Sequence, residues 1–501
     1  MAIPGFARPG AAQLTLPTDF QDELVVAGLA ESVGLAFIPD GRAFFVERTT
    51  ARVRLIVNGA LSAVDPVVTV PDLDAPYGEE GLLGIAVDPG WPQRPYIYVQ
   101  YTIAIPYSRI ARYTVAGDLD FTADGTLTID PSSRYDVIHP PRPARWHNGG
   151  TLRFGPDGML YSSLGDATAC NAQLPWELLG KIARFDVSGL PAGPGGPAPL
   201  DLITPADNPF ASSTDPDARL VWHFGLRNPF RFGIDSETGD MAIGDVGGED
   251  REELNYASLP GRNFQWPVYE GDVPGPYTCA VYDSSVFAGP VVVWDHTLGS
   301  AAMGPVVYRR PPSATQPFPP EYDGDLLYAD FYGLWLRRLK RVGGTWSPAP
   351  APGQPNPTDW GFGVDYIPEW LEAPDGTLWY CRLLTGAGPG EIRRIRYVGT
   401  ASVPLPGDRP VELRPPFPSP TRDGVTLDYT LGEEARVSLV ILDVGGRRVR
   451  TLTAGEPESA GPHRASWDGR DDRGRRVGPG VYLARLRMAG HAVERRLILI
   501  E

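Results

Sequence analysis

Along the first 400 residues, short apolar and aromatic runs recur, each introduced by a turn of Pro-Asp-Gly type. Pro39-Asp40-Gly41 precedes Ala43 to Val46, and the variant Asp88-Pro89-Gly90 precedes Tyr96 to Tyr101. Pro156-Asp157-Gly158 leads into Met159 to Ser162, and Asp235 to Gly239 leads into Met241 to Ile243. Tyr322-Asp323-Gly324 and Pro374-Asp375-Gly376 open the last two units. Proline presets φ, aspartate bonds the local backbone and glycine takes positive φ, so each triplet is a turn with a mechanism. A further strand rich in Arg with Ile or Leu follows, as in Val53 to Ile56, Arg109 to Tyr113 and Glu391 to Tyr397. Six such units of about four strands predict a six-bladed β-propeller. The strand around Leu24 to Val26 is expected to close the ring with the last blade.

The pattern changes after a stretch rich in proline, Pro404 to Pro420. Val425, Leu427 and Tyr429 alternate with polar positions, as do Val437, Leu439 and Ile441. Strict alternation marks half-buried strands, and several of them predict a small immunoglobulin-like β-sandwich. The expected organisation is an N-terminal extension over 1–18, a propeller over 19–402 and a sandwich over 403–501.

Composition agrees with this all-β reading. The 501 residues include 58 Gly and 54 Pro, yet 42 % are hydrophobic, enough for a large core. The formal charge of −16 argues against a broad nucleic-acid surface, which needs a basic footprint. No apolar run is long enough for a membrane-spanning helix. The three cysteines, Cys170, Cys279 and Cys381, do not have zinc-site spacing. One disulfide with one free thiol, or three buried thiols, both remain open.

Three loop segments carry candidate chemistry. Arg145 to Thr151 runs into the third unit and brings His147 toward the propeller axis, where a histidine can act as general base; it can equally cap a turn. Gly225 to Phe230 supplies Arg227, a planar fork for an anion, and Asn228, both donor and acceptor. Arg227 can equally bond carbonyls inside the funnel. Gly244 to Asn255 combines paired glycines with acids, a composition suited to a hard cation or to a solvated acidic loop.

Together these segments resemble the glucose/sorbosone dehydrogenase family, which uses pyrroloquinoline quinone (PQQ). The resemblance runs from about Gly28 to Val398 and includes Glu79 to Ala86, Gly180-Lys181-Ile182 and Asn263 to Pro267. It implies that His147 takes the proton from an anomeric hydroxyl and that Arg227 and Asn228 hold the quinone oxygens. It further implies that Gly247 and Gly248 carbonyls bind calcium, with Glu252 beside them, and that Trp294 and Trp146 flank the substrate. The C-terminal part resembles the immunoglobulin-like domain of flagellar hook-capping proteins, which implies export to the periplasm or beyond. In an exported chain Cys170 and Cys279 are expected to pair, with Cys381 free.

The chain also departs from the family pattern. Tyr332 stands where a lysine is expected on the PQQ carboxylates, and Tyr366 and Pro368 stand where arginines are expected. Glu79 replaces a neutral residue at the quinone edge, and Trp146 stands where the acid partner of the base is expected. Arg337, Arg338 and Arg382 are candidate substitutes for the missing cations. The implied function is oxidation of an aldose with PQQ and calcium, with electrons going to an external acceptor. The alternatives are a non-catalytic propeller binding a glycan or protein and, more distantly, a metal-dependent hydrolase.

Overall fold

The computed structural model describes residues 14–399 and 411–500, apart from 168, 312–313, 364–365, 386–387, 415, 418, 420, 423, 432–433, 444–446, 460 and 489–490. The chain forms two units, Met1–Gly399 and Thr400–Glu501. Most of the proposed extension and the expected 402/403 boundary lie outside the described residues.

The first unit contains six sheets of four or five antiparallel strands, besides a two-stranded hairpin. Their innermost strands are Ser32–Phe37, Leu82–Val87, Leu152–Phe154, Arg231–Ile234, Ala302–Val307 and Glu369–Glu372. We number the sheets 1 to 6 in that order. The Pro-Asp-Gly turns join each innermost strand to the second strand of its sheet, a tight reversal suited to antiparallel pairing.

Each pair of consecutive sheets shares one apolar core. Leu55 and Phe44 of sheet 1 meet Ile85 and Val99 of sheet 2, and Tyr98 of sheet 2 meets Leu160 and Ala183 of sheet 3. Ile182 of sheet 3 meets Phe232 and Ile243 of sheet 4, and Leu254 of sheet 4 meets Tyr328 and Trp335 of sheet 5. Leu327 of sheet 5 packs with Trp370 and Tyr380 of sheet 6, and Trp379 of sheet 6 packs with Leu35 and Phe45 of sheet 1. The sixth core returns to the first sheet, so the ring is closed. Strand Phe20–Leu29 fastens it, running antiparallel to Gly388–Tyr397 with Phe20 opposite Tyr397. The N-terminal strand thus becomes the outermost strand of the last sheet and covers the edge of Gly388–Tyr397.

At the axis the innermost strands crowd together. A Cβ on Gly84 would lie 2.0 Å from the Gly150 carbonyl oxygen, so only glycine fits. Arg231 fills the space that remains. Its buried guanidinium donates to the carbonyls of Val33, Leu83 (3.0 Å), Phe230 (3.1 Å) and Pro368 (2.8 Å), and to the Thr151 hydroxyl (3.3 Å). One side chain thereby ties together backbone from sheets 1, 2 and 6 and the loops entering sheets 3 and 4. Arg231 thus bonds carbonyls at the axis, and Arg227 also bonds one, that of Val246 at 3.0 Å.

The second unit is a sandwich. One sheet joins Val411–Leu413, Val425–Leu431 and Gly461–Trp467, and the other joins Arg448–Glu458, Ala435–Asp443, Gly480–Met488 and His491–Leu499. Leu427, Tyr429, Leu439, Ile441, Trp467 and Leu486 form its core, the inward positions of the alternating pattern.

Candidate active site

Loop 145–151 enters the innermost strand of sheet 3 by an abrupt turn. His147 takes φ of +58°, followed by Gly149 and Gly150 with positive φ. A left-handed histidine is uncommon and is held here by its surroundings. Its N–H donates to Glu79 Oε2 at 2.6 Å, and its carbonyl packs on Gly165, where a Cβ would approach to 2.0 Å.

The imidazole is oriented by an acid. His147 Nδ1 lies 2.5 Å from Asp166 Oδ1, and Asp166 Oδ2 accepts from Trp266 Nε1 at 2.7 Å. Asp166 is 3 % exposed. An ionised carboxylate takes a proton donor, so Nδ1 carries the hydrogen and Nε2 keeps its lone pair. This corrects the expectation that Trp146 stands in place of the acid: the partner comes from the far end of the second strand, 19 residues on.

The propeller repeat explains where that acid comes from. Glu47, Asp245 and Asp330 end the second strands of sheets 1, 4 and 5. Each accepts backbone N–H groups from the loop entering its own innermost strand: Ala30 for Glu47, Arg227 and Asn228 for Asp245, Ser300 and Ala301 for Asp330. Leu164-Gly165-Asp166 of sheet 3 parallels Ile243-Gly244-Asp245 of sheet 4. In sheet 3 the entering loop offers a histidine ring in place of backbone.

Arg227 and Asn228 lie against this pair. The Arg227 carbonyl accepts from Asp166 N at 2.7 Å, and Asn228 Oδ1 accepts from Gly149 N at 3.1 Å. The Arg227 guanidinium donates to the Val246 carbonyl at 3.0 Å and sits 5.5 Å above the Trp266 ring. Their backbone is clamped by Asp245, directly opposite Glu253 in the strand register. Burial pushes both carboxyls up, Glu253 to about 7 and Asp245 well above its usual range.

The other expected residues separate into two groups. Glu79 and Tyr332 belong to the mouth: Tyr332 is half exposed, packs against Phe331 and Tyr366, and its hydroxyl is pushed up by partial burial, with Tyr366, Glu79 and Asp330 contributing. Trp146 is 55 % exposed and lines a pocket with His147, Asn148, Arg142 and Asp166. Trp294 lies elsewhere. It is 4 % exposed, packed on Trp335, with its indole N–H on Asp330 at 2.9 Å, so it is a core residue and presents no face to a substrate.

The acidic loop is built differently from its expectation. Gly248, Asp250 and Arg251 N–H groups all converge on Glu270 Oε1, at 2.8–2.9 Å, so Glu270 organises the loop from outside it. Gly247 N donates to Glu252 Oε2 at 3.1 Å. Glu249 and Asp250 face solvent while Glu252 and Glu253 are buried, and among the described residues no group of three or more acids, histidines or cysteines could hold a metal ion. One atom suits a cation: Glu252 Oε1 is buried without a hydrogen bond, 3.2 Å from His296 Nε2 but poorly aligned with it. Burial pushes the Glu252 carboxyl up to about 8.

The candidate substitute cations are committed elsewhere. Arg337 pairs with Asp359 at 3.0 Å, Arg338 with Asp325 at 3.0 Å and Arg382 with Glu391 at 2.7 Å. Pro368 contributes only its carbonyl, and that is held by Arg231.

The glucose/sorbosone dehydrogenase model matches residues 29–346 and the FlgD immunoglobulin-like model matches 421–489. The chain is 32 % identical over 248 residues to the HIPL2 protein of Arabidopsis thaliana, covering 43 % of this chain and 34 % of that one. It is 25 % identical to quinoprotein glucose dehydrogenase B of Acinetobacter calcoaceticus, covering 50 % and 53 %. The chain thus spans about a third to a half of the length of these curated relatives. The PQQ-bound aldose sugar dehydrogenase of Streptomyces coelicolor shares the fold, with a TM-score of 0.55 at 24 % identity, covering 76 % of this chain and 99 % of that one. With a family model spanning well over half of its residues, the chain belongs to the glucose/sorbosone dehydrogenase family.

Proposed function

We propose that the first unit is a quinoprotein oxidoreductase that oxidises the anomeric hydroxyl of an aldose, using PQQ and calcium and delivering electrons to an external acceptor. The observation that carries this reading is the His147–Asp166 pair at 2.5 Å. It leaves Nε2 free to take a hydroxyl proton in a pocket-lining histidine, and Asp166 stabilises the imidazolium that results. PQQ, when bound, supplies the two-electron acceptor for the hydride released from the anomeric carbon. Arg227 and Asn228 would hold its quinone oxygens; the Gly247 and Gly248 carbonyls with Glu252 would hold calcium.

Support for the fit is confined to this end. A tricarboxylate reaching the mouth would meet Tyr332 and Tyr366, neither of them charged, and the Glu79 carboxylate. Export of the chain is supported by the Cys170–Cys279 disulfide, a bond favoured in oxidising compartments. No helix among the described residues is long and apolar enough to cross a membrane.

The test is a dye-reduction assay across aldoses with protein supplied with PQQ and calcium. His147→Ala should lower the rate by about 10²–10⁴ without changing the melting temperature appreciably. Full activity in that variant would exclude His147 as the base. A second reading, a non-catalytic propeller that binds a glycan or protein, is supported by the commitment of Arg337, Arg338 and Arg382 to other acids. Its outcome is no turnover with any aldose.

A further inference from the structure

We infer that Trp266 is a positioning residue for the base: its indole N–H fixes Asp166, and through Asp166 the tautomer and direction of the His147 ring. This rests on the reading of His147 as the base. Asp166 is buried, and its two oxygens each take one side-chain donor, Oδ1 from His147 and Oδ2 from Trp266. A carboxylate held at one oxygen can swivel; one held at both has a fixed plane. The indole is itself immobilised. Trp266 is 5 % exposed, its backbone N–H donates to the Gly225 carbonyl at 2.9 Å, and its backbone carbonyl accepts from Gln173 Nε2 at 2.7 Å. Its face carries the Arg227 guanidinium. One side chain therefore touches both halves of the site, the acid behind the base and the cation beside it.

An internal comparison shows what this bond does. Trp294 makes the same indole-to-carboxylate bond to Asp330, but the other partners of Asp330 are the backbone N–H groups of Ser300, Ala301, Tyr332 and Gly333. There the indole fastens a fold. At Asp166 the other partner is an imidazole, so the indole determines which ring nitrogen carries the proton.

Trp266→Phe keeps the ring and removes the donor. The first readout is ¹⁵N NMR of the imidazole in protein without cofactor at neutral pH. Wild-type His147 should be the single tautomer with hydrogen on Nδ1, and the variant should show a mixture. Trp294→Phe, which breaks the matching bond elsewhere, should leave the His147 signals in place. In the loaded enzyme Trp266→Phe should lower kcat about 10-fold with little change in KM. If Trp266→Phe does not fold, Asp166→Asn is read instead, through the indole N–H resonance of Trp266, which should move. A folded Trp266→Phe with the wild-type tautomer, or an unmoved indole resonance in Asp166→Asn, would overturn the inference. A tautomer shift in a protein inactive on every aldose would uphold the role of Trp266 and count against the catalytic reading.

Discussion

Two side chains decide most of what happens near the axis, and they do different work. Arg231 is structural: its guanidinium satisfies four carbonyls and the Thr151 hydroxyl and is 3.5 Å from Glu369. Burial lowers its pKa to about 10, still far above neutrality, so the group stays charged. Arg231→Met should cost about 3–5 kcal/mol, because several buried carbonyls and Glu369 lose their donor. Urea unfolding measures this; a loss under about 1 kcal/mol would mean that water takes the place of the guanidinium. His147 is the base of the proposed function, and its partner illustrates how far the sequence could be read. His147, Arg227 and Asn228 were legible because each sits in a distinctive loop motif. Asp166 was not, because pairing across a sheet joins residues that sequence separates. The repeated Gly-Asp at the end of the second strands of sheets 3 and 4 was the signal that could have found it. Trp294 misled for the same reason: nothing in the local sequence distinguishes a tryptophan facing a funnel from one bonded to an acid in the next sheet.

At the scale of elements, strands and turns were readable because period-two alternation and Pro-Asp-Gly turns are local. The long insertions were not, since their conformation depends on distant partners. The segment around Cys170 is an example. It is joined to Cys279, 109 residues away, and it delivers Gln173 to Asn263 and to the Trp266 carbonyl. Cys381 is separate, free and buried in sheet 6, where burial pushes its thiol up and makes it a poor nucleophile. The pairing follows the sequence expectation for an exported chain. Replacing Cys170 and Cys279 by serine should lower stability by about 2–4 kcal/mol, by freeing the unfolded chain. Chemical unfolding with and without reductant should reproduce that difference in the wild-type protein. Equal midpoints under both conditions would show that the two loops are held by their other contacts.

The whole molecule responds to pH through groups remote from the site. His223, on the outer strand of sheet 3, is 1 % exposed and accepts from Arg262 N at 3.2 Å. Burial, with Arg262 nearby, lowers its pKa to about 3. Between pH 6.5 and 3 the unfolded chain binds a proton here that the folded chain refuses, so stability falls as pH falls through this window. From pH 7 to 5 the contribution is about 2 kcal/mol. His223→Gln should therefore lose less stability than wild type between those two values, measured as the difference of two urea midpoints. An identical loss would place the acid sensitivity elsewhere.

The proposed function joins His147, Asp166 and Arg227 to a mouth where Tyr332 and Tyr366 carry no charge. Under the proposed function, the uncharged mouth predicts weak cofactor binding. Two lost charge-assisted contacts at about 1.5 kcal/mol each weaken an anion by on the order of 100-fold. Calorimetric titration of the purified protein with PQQ in the presence of calcium tests the central claim most directly. The account predicts saturable one-to-one binding that is weak enough for the protein to purify without cofactor, and that is further reduced in Arg227→Ala. No heat of binding at high micromolar PQQ would contradict it.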